Sequence, residues 1–498
     1  MGGHSVAAID LGASSGRVVL LELKDEALSL REVNRFPHGP ELNGQTLCWD
    51  LPYLWNGVEE GLAKAFELNP NIEAIGVDGW GVDFVFVDEN DQAKLPAISY
   101  RDARTKGIMP EFASETGLDL ETLFRRTGIQ PMELNSLFQL YALKREREAK
   151  GELDEHPGRL MLLPDWFHFQ LTGRWACEYT NATTSQMLSP HDGDWDPGLI
   201  ELLGLPRSAM PTIKPAGTVL GHVKESFLKT WGVSHPVPVV LPGTHDTASA
   251  VASLPASAPG PSFISLGTWA LVGREAPVPD LSHRAYLNGL SNEGGVFETY
   301  RQLRNVSGLW LIQNVRNEID PTSDFADWAA EAEAVEGGRS LIEPMDPRFF
   351  RTPSMVKEIQ AQCRETGQPI PESRGELART IYESLALSFA DVLSDFNNGE
   401  QLPELHLVGG GARNALLCQM ICDVINAPVI AGPFEASAIG NGVVQMIGLG
   451  VISDIAEARR LVRQSCELIH YEPRAGEDWS RLRSRFHSLY SAAQKKAG

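Results

Sequence analysis

The sequence predicts an α/β protein built from two copies of one domain. Two observations carry this. The opening of the chain reads strand, strand, strand, helix, strand, and the same order of runs restarts near residue 261. Apolar residues make up 43% and charged residues 22% of the 498, which is ordinary globular usage. A chain of this length holds several domains at roughly 150 residues each. No short period recurs along it, so the length reflects duplication of a domain and not a solenoid.

The elements follow in order. SVAAIDL (5–11) is an apolar strand, GASSG a tight turn, and RVVLLEL (17–23) a second strand. LSLREV (28–33) opens with the period-2 alternation of a third. Asp50 is a good N-cap and Pro52 suits a first helical turn. Behind them Leu51, Leu54, Trp55, Val58, Leu62 and Phe66 line one helical face. IEAIGVDGW (72–80) and DFVFVD (83–88) are further strands. Residues 105–215 are mixed and mostly helical, and are expected to form a cap that shapes a substrate cleft. PVPVVLPGTHDTASAVAS (236–253) reads as a strand, a glycine-bearing turn and a helix of small residues. LPASAPGP (254–261) has the composition of a loop.

The second half opens with PSFISLGTWALVG (261–273), again strand, turn, strand, and GVFETYRQL (295–303) is its expected third strand. SGLWLIQNV (307–315) starts a helix, ELARTIYESLALSFADVL (376–393) is a long one, and LHLVGG and PVIAG are strands each followed by a helix. The expected domains are 1–248, carrying the 105–215 insertion, and 249–498.

A net charge of −22 argues against nucleic acid or an anionic membrane as partner, because phosphate backbones need a basic face. No apolar run approaches the roughly 18 residues of a membrane span. The start, MGGHSVAAID, lacks the basic and apolar regions of a signal peptide, and Val6 stands where a myristoylation signal has Ser or Thr. A cytoplasmic protein is expected, in which the sequons at Asn181 and Asn305 mean nothing. Six cysteines make no disulfide framework, and Cys418 and Cys422 read as reduced core thiols. The expected partners are small molecules, in a monomer or homodimer.

Four segments carry possible chemistry. GASSG (12–16) matches the nucleophile-elbow pattern, but a strand follows it where the elbow needs a helix. It also fails the Walker A pattern in spacing and in its Lys. Two readings stay open: a plain hairpin turn, or a turn whose small residues let backbone N–H groups reach phosphate oxygens. In the second, Ser14, Ser15 and Arg17 add donors and Asp10 faces a metal's water shell. LGT (266–268) offers the same device in the second half. GGGARN (409–414) is either close helix–sheet packing or backbone lying flat against a nucleotide. Asp246 in GTHDTAS (243–249) is either an N-cap or a base taking a hydroxyl proton, as phosphoryl transfer requires. VDGWGVDF (77–84) places Asp78 and Asp83 around an aromatic ring, which suits either a tight turn or a sugar pocket.

AIDLGASSGRV, GVDGWGVDF, YRDARTKG, EYTNATTSQ, THDTASAV, LGTWALVG, NEGG, GLWLIQ, VGGGARN and AGPFEASAIGN occur in this order, within a resemblance that runs from about residue 5 to about 470. Together they resemble the FGGY carbohydrate kinases. The resemblance implies two duplicated ribonuclease-H-like domains of the actin/hexokinase/Hsp70 type around a central cleft. It implies ATP and Mg²⁺ as cofactors, with sugar mainly on the N-terminal domain and ATP mainly on the C-terminal one. Within the family the pattern points to L-rhamnulose, with L-fuculose and L-xylulose as alternatives. By motif position Asp246 matches the proton acceptor. Gly81, Asp83, His245, Asp246, Thr247 and Asn305 match sugar contacts. Ala13, Ser14, Ser15, Gly16, Arg17, Thr268, Gln313 and Gly410 match ATP contacts, and Asp10 matches the acid near Mg²⁺. Gly79 stands where the pattern has Thr, Ala270 where it has Ser, and Ala103 where it has Ser. The intact Asp246 argues against a non-catalytic ATP-binding module of the same fold.

Overall fold

The computed structural model of the chain describes residues 3–94, 96–151, 157–350, 352–397, 399–476 and 478–494. The reading of the N-terminal start involves Met1 and Gly2, which lie outside them. The chain forms two compact units. The first holds Met1–Ser257, Glu275–Gln302 and Glu435–Cys466, and the second holds Ala258–Arg274, Leu303–Phe434 and Glu467–Gly498.

In the first unit β1 (His4–Leu11), β2 (Ser15–Lys24) and β3 (Ala27–Pro37) form an antiparallel meander. On its other side β1 runs parallel to Ala74–Gly79, and Pro238–Val240 and Val219–His222 complete six strands. Ala7, Ile9 and Leu11 of β1 face α1 (Leu51–Leu68) and the helix Leu163–Thr172 in one core. Val6 faces the other way, packing with Leu21, Ala74 and Val240 against Val443 and Met446 of the helix Ala436–Gly448. Cover on both faces explains why β1 reads as a continuous apolar run without alternation.

α1 begins as expected. The Asp50 side chain accepts the Tyr53 N–H at 2.9 Å, satisfying one of the helix's unpaired donors. Leu51, Leu54, Val58, Leu62 and Phe66 are its buried stripe.

The strand Phe84–Val87 divides two cores by its pleat. Val85 and Val87 join the β1 core, while Phe84 and Phe86 join a second core with Phe112, Leu123, Phe138 and Trp195. The stretch 105–215 supplies both: its helix Leu163–Thr172 buries Phe167, Phe169 and Leu171 in the first.

In the second large sheet Tyr300–Ser307, Trp269–Ala276, Ser262–Leu266, Leu405–Val408, Val429–Ala431 and Ile469–Tyr471 lie side by side in that order. Ser262–Leu266 is antiparallel to Trp269–Ala276 and parallel to Leu405–Val408, which repeats the arrangement around β1. The long helix Arg374–Phe396 starts at a capping box of Ser373 and Glu376. The expected third strand, 295–303, is displaced. Phe297 and Glu298 take left-handed φ values of 54° and 63°, and the Gly295 N–H bonds Thr299 O at 2.8 Å. That tight turn consumes 295–299, so the strand begins at Tyr300.

Candidate functional site

In the first unit the site grows from register. Asp10, one residue from the end of β1, lies opposite Arg17 on β2 and beside Asp78 on the neighbouring parallel strand. Arg17 Nε and Nη2 both donate to Asp10 Oδ2, at 2.9 and 2.6 Å. Its Nη1 donates to the Glu435 carboxylate, just before the helix Ala436–Gly448. Burial works against the guanidinium's charge, but Asp10 and Glu435 outweigh it and hold Arg17 firmly protonated. Asp78 is wholly buried; Oδ2 accepts Asn441 Nδ2 at 2.6 Å, and Oδ1 has no partner among the described residues. Burial and the nearby Asp10 push its carboxyl well above the usual range.

Asp246 reaches the same end of the sheet by a backbone link. The Gly79 N–H donates to Thr244 O at 3.0 Å, and Gly79 bridges His245 in parallel. Asp246 then opens the helix Asp246–Ala252. It is not the N-cap: His245 holds that position without a side-chain cap bond, and Asp246 Oδ1 accepts Thr247 Oγ1 at 3.0 Å. Its side chain remains 29% exposed. Burial and Asp10 raise its pKa, while His245 opposes them. A carboxylate made more basic yet still reachable suits proton acceptance.

Asp83 is fully buried, and its oxygens are engaged. Oδ2 accepts Trp49 Nε1 at 2.6 Å and Trp80 Nε1 at 3.0 Å, and Oδ1 accepts Gln139 Nε2 at 3.3 Å. Burial pushes this carboxyl up to about 6 against those three donors. The two indoles lie 4.3 Å apart, with His38 5.4 Å from Trp80, so Asp83 fixes an aromatic wall. Gly81 is needed for close approach, since a Cβ there would sit 2.9 Å from Thr184 Oγ1. Val82 beside it takes φ 67°, a strained value for a β-branched residue, and its N–H bonds Thr184 Oγ1 at 3.1 Å. Gly79 also sits close, with a Cβ position 3.1 Å from Leu11 O.

The turn Gly12–Ser14 is closed by Gly12 N–H to Ser15 O at 3.0 Å and braced by His38 N–H to Ser14 O at 3.1 Å. Ala13 and Ser15 are half-buried and Ser14 is exposed. Gly16 is glycine for packing, since a Cβ would lie 2.4 Å from the Phe36 ring.

The second unit gathers Thr268, Gln313 and Gly410 around the end of the strand Ser262–Leu266. Thr268 Oγ1 donates to Gln313 Oε1 at 3.1 Å. Gly411 presses on Leu266, with a Cβ position 2.5 Å from its Cγ. At Gly410 a Cβ would meet nothing within 4 Å. Its backbone borders open space, which fits a flat ligand better than it fits protein packing. Asn305 lies half-buried on Tyr300–Ser307 in this unit.

Asp10 and Glu435 thus pair with the Arg17 guanidinium, Asp78 lies beside Asp10 with one buried oxygen unpartnered among the described residues, and Asp246 lies close enough to Asp10 and Asp78 to feel their charge. That excess of negative charge fits a divalent cation brought in with a polyphosphate. Among the described residues no group of three or more His, Cys, Asp or Glu could hold a metal alone.

Family models match at residues 5–253, the N-terminal domain of the FGGY family of carbohydrate kinases, and at 262–449, its C-terminal domain. The chain belongs to the FGGY family of carbohydrate kinases. It is an ATP-dependent sugar kinase, and FGGY sugar kinases use ATP with Mg²⁺. The chain is 39% identical over 97% of its length to proteins named rhamnulokinase from Pectobacterium atrosepticum and Pectobacterium carotovorum, covering 96% of each. Among solved structures it resembles a xylulose kinase from Rhodospirillum rubrum (TM-score 0.77, 21% identity, 99% of both chains). It also resembles a gluconate kinase from Lactobacillus acidophilus (TM-score 0.79, 15% identity, 99% of this chain and 97% of that one). These share the FGGY fold.

Sequence reasoning left Glu435, Asn441, Glu293, Arg301 and Trp49 without roles, and Asp78 without an assignment. Four of these six lie inside motifs quoted for the resemblance: Asp78 in GVDGWGVDF, Glu293 in NEGG, and Glu435 and Asn441 in AGPFEASAIGN. Trp49 and Arg301 lie outside them, with only a neighbouring Asp50 and an expected strand as signals.

Proposed function

We propose that this kinase phosphorylates L-rhamnulose at O1, giving L-rhamnulose 1-phosphate in L-rhamnose catabolism. The observation that carries the choice of sugar is the 39% identity, over nearly the whole chain, to proteins named rhamnulokinase. In this reading residues 1–248 bind mainly the sugar and 249–498 mainly ATP. Asp246 accepts the O1 proton as that oxygen attacks the γ-phosphorus. His245, Thr247, Gly81 and Asn305 contact the sugar, and Asp83 acts through the indoles it holds. Ala13, Ser14, Ser15, Gly16 and Arg17 border the phosphates, and Thr268, Gln313 and Gly410 the rest of the nucleotide. Asp10 would face Mg²⁺, which when bound would spread the phosphate charge. Asp246 supports this by its exposure at the shared end of the strands and by the carboxylates gathered beside it.

The same reading makes the enzyme cytoplasmic, as a monomer or homodimer. No helix among the described residues is long and apolar enough to cross a membrane. The test is ADP release from MgATP with and without L-rhamnulose, L-fuculose and L-xylulose. The largest kcat/KM is expected for L-rhamnulose. A larger value for another sugar overturns the substrate while leaving the chemistry, and release unaffected by any sugar overturns both.

A further inference from the structure

A cavity of about 250 Å³ opens in the first unit, bordered by the strand Phe84–Val87 and the helix Ser136–Lys150. No residue given a role above lines it. Its described lining carries four cations, Lys94, Arg104, Arg147 and Lys150, against one carboxylate, Glu146. Pro96, Ile98 and Leu143 supply apolar lining. In a chain of net charge −22 such a concentration of cations runs against the overall field. Leu143, Glu146, Arg147 and Lys150 recur at the helical spacing of three and four, which places them on one face, toward the cavity. The dipole at that helix's C-terminal end suits Arg147 and Lys150. It does not account for Arg104 and Lys94, which come from other segments.

Arg104 carries the argument furthest. It is half-buried, and its described side-chain bond runs from Nη2 to Gln139 Oε1 at 2.9 Å. Nε is buried without a partner, and no described carboxylate forms an ion pair with the guanidinium. Burial lowers its pKa from the usual value, and Glu146, Asp102 and Asp83 are too distant to offset that. The buried arginines Arg301, Arg379 and Arg459, by contrast, each pair with a carboxylate. A guanidinium drawn out of water without a counterion costs free energy that a bound anion would recover. We propose that this cavity is a second ligand site, for a small organic dianion, a phosphate monoester or a dicarboxylate, whose charged head meets Arg104 and Arg147 and whose carbon body lies against Ile98 and Leu143. Two planar guanidinium forks suit either head group. The Gln139 amide that holds Arg104 also donates from Nε2 to Asp83 Oδ1 at 3.3 Å, so the site backs onto the aromatic wall without sharing its residues.

The test is isothermal titration calorimetry of the full chain at low salt, with MgADP present to fill the nucleotide site. The probes are glycerol 3-phosphate, succinate, inorganic phosphate and glycerol. At least one of the two organic dianions is expected to bind, one per chain, and which one binds identifies the head group. Inorganic phosphate is expected to bind about tenfold more weakly than the better dianion, and glycerol not at all. Arg147→Gln and Arg104→Gln are each expected to weaken the dianion about tenfold or more while leaving MgADP affinity unchanged. Circular dichroism checks folding, and R147Q carries the test should R104Q not fold. Three results would each overturn the proposal: neither dianion binding up to about 10 mM, binding undiminished in R147Q, or inorganic phosphate binding as tightly as the better dianion. Weakened MgADP binding in R147Q would place the anion at the nucleotide instead and would overturn it too.

Discussion

The two hairpins of the duplicated fold make an instructive pair. β1 and β2 carry Asp10 opposite Arg17, with Asp78 alongside. At the matching place in the second unit, one residue before the strand's final Leu, Ser265 lies opposite Leu271, with Val408 alongside. The backbone plan repeats and the charges do not. The first copy has acids and a guanidinium where the second has a hydroxyl and two apolar side chains. The second keeps glycines that let backbones touch, and the Thr268–Gln313 bond. Duplication supplied two strand ends, and the side chains then specialised.

The sharpest way to break this contrast is at Asp246, the proposed proton acceptor. Asp246→Asn is expected to fold and to lose at least ~100-fold in kcat, since general-base help is typically worth ~10²–10⁴. Near-normal turnover would dissolve the asymmetry. Next comes Arg17→Met, which leaves Asp10 and Glu435 uncompensated and is expected to cost about 3 kcal/mol. The matching change in the second hairpin, Leu271→Met, is expected to cost less than about 1.5 kcal/mol. Urea midpoints of the two variants compare them directly. Gly410→Ala tests the nucleotide side: folding unchanged, and KM for ATP raised roughly 10-fold, about 1.4 kcal/mol. Gly308→Ala is the contrast, because a Cβ there would sit 2.5 Å from Gly267 O and should lower thermal stability.

A last prediction, read only on the acid side, concerns the sheet that carries Asp78. His168 is buried, its Nε2 accepts the Val77 N–H at 3.0 Å, and burial pushes its pKa down to about 3. The unfolded chain binds a proton below about 6.5 that the folded one refuses. This group's contribution is therefore present above pH 6.5 and is lost as pH falls toward 3, by up to about 1.4 kcal/mol per pH unit. His168→Gln should flatten the acid side of the melting temperature against pH. An unchanged acid slope would show that His168 does not titrate as described.

The framework was legible where the signal is local. Apolar runs around GASSG gave β1 and β2, and the Asp50 cap with its stripe gave α1. The candidate site was legible where a short motif carries it: GTHDTAS marks the strand-to-helix turn that brings Asp246 to the end of the sheet. What escaped depends on distant pairing. Arg17 meets Glu435 across 418 positions, and Asp78 meets Asn441 across 363. No spacing rule reaches that far. Asp83 looked like a hydroxyl binder because nothing local reveals that Trp49 and Trp80 occupy one of its oxygens. The third strand of the second half was misplaced because Phe297 and Glu298, both bulky, adopt a turn that glycine usually marks.

The division of labour between the two units is tested most directly by measuring ATP dissociation and kcat together in Asp246→Asn and Gly410→Ala. The account predicts that Asp246→Asn loses turnover while holding ATP within about twofold of the parent, and that Gly410→Ala weakens ATP binding while kcat at saturating ATP stays near the parent's. Loss of ATP binding in Asp246→Asn, or unchanged ATP binding in Gly410→Ala, would contradict it.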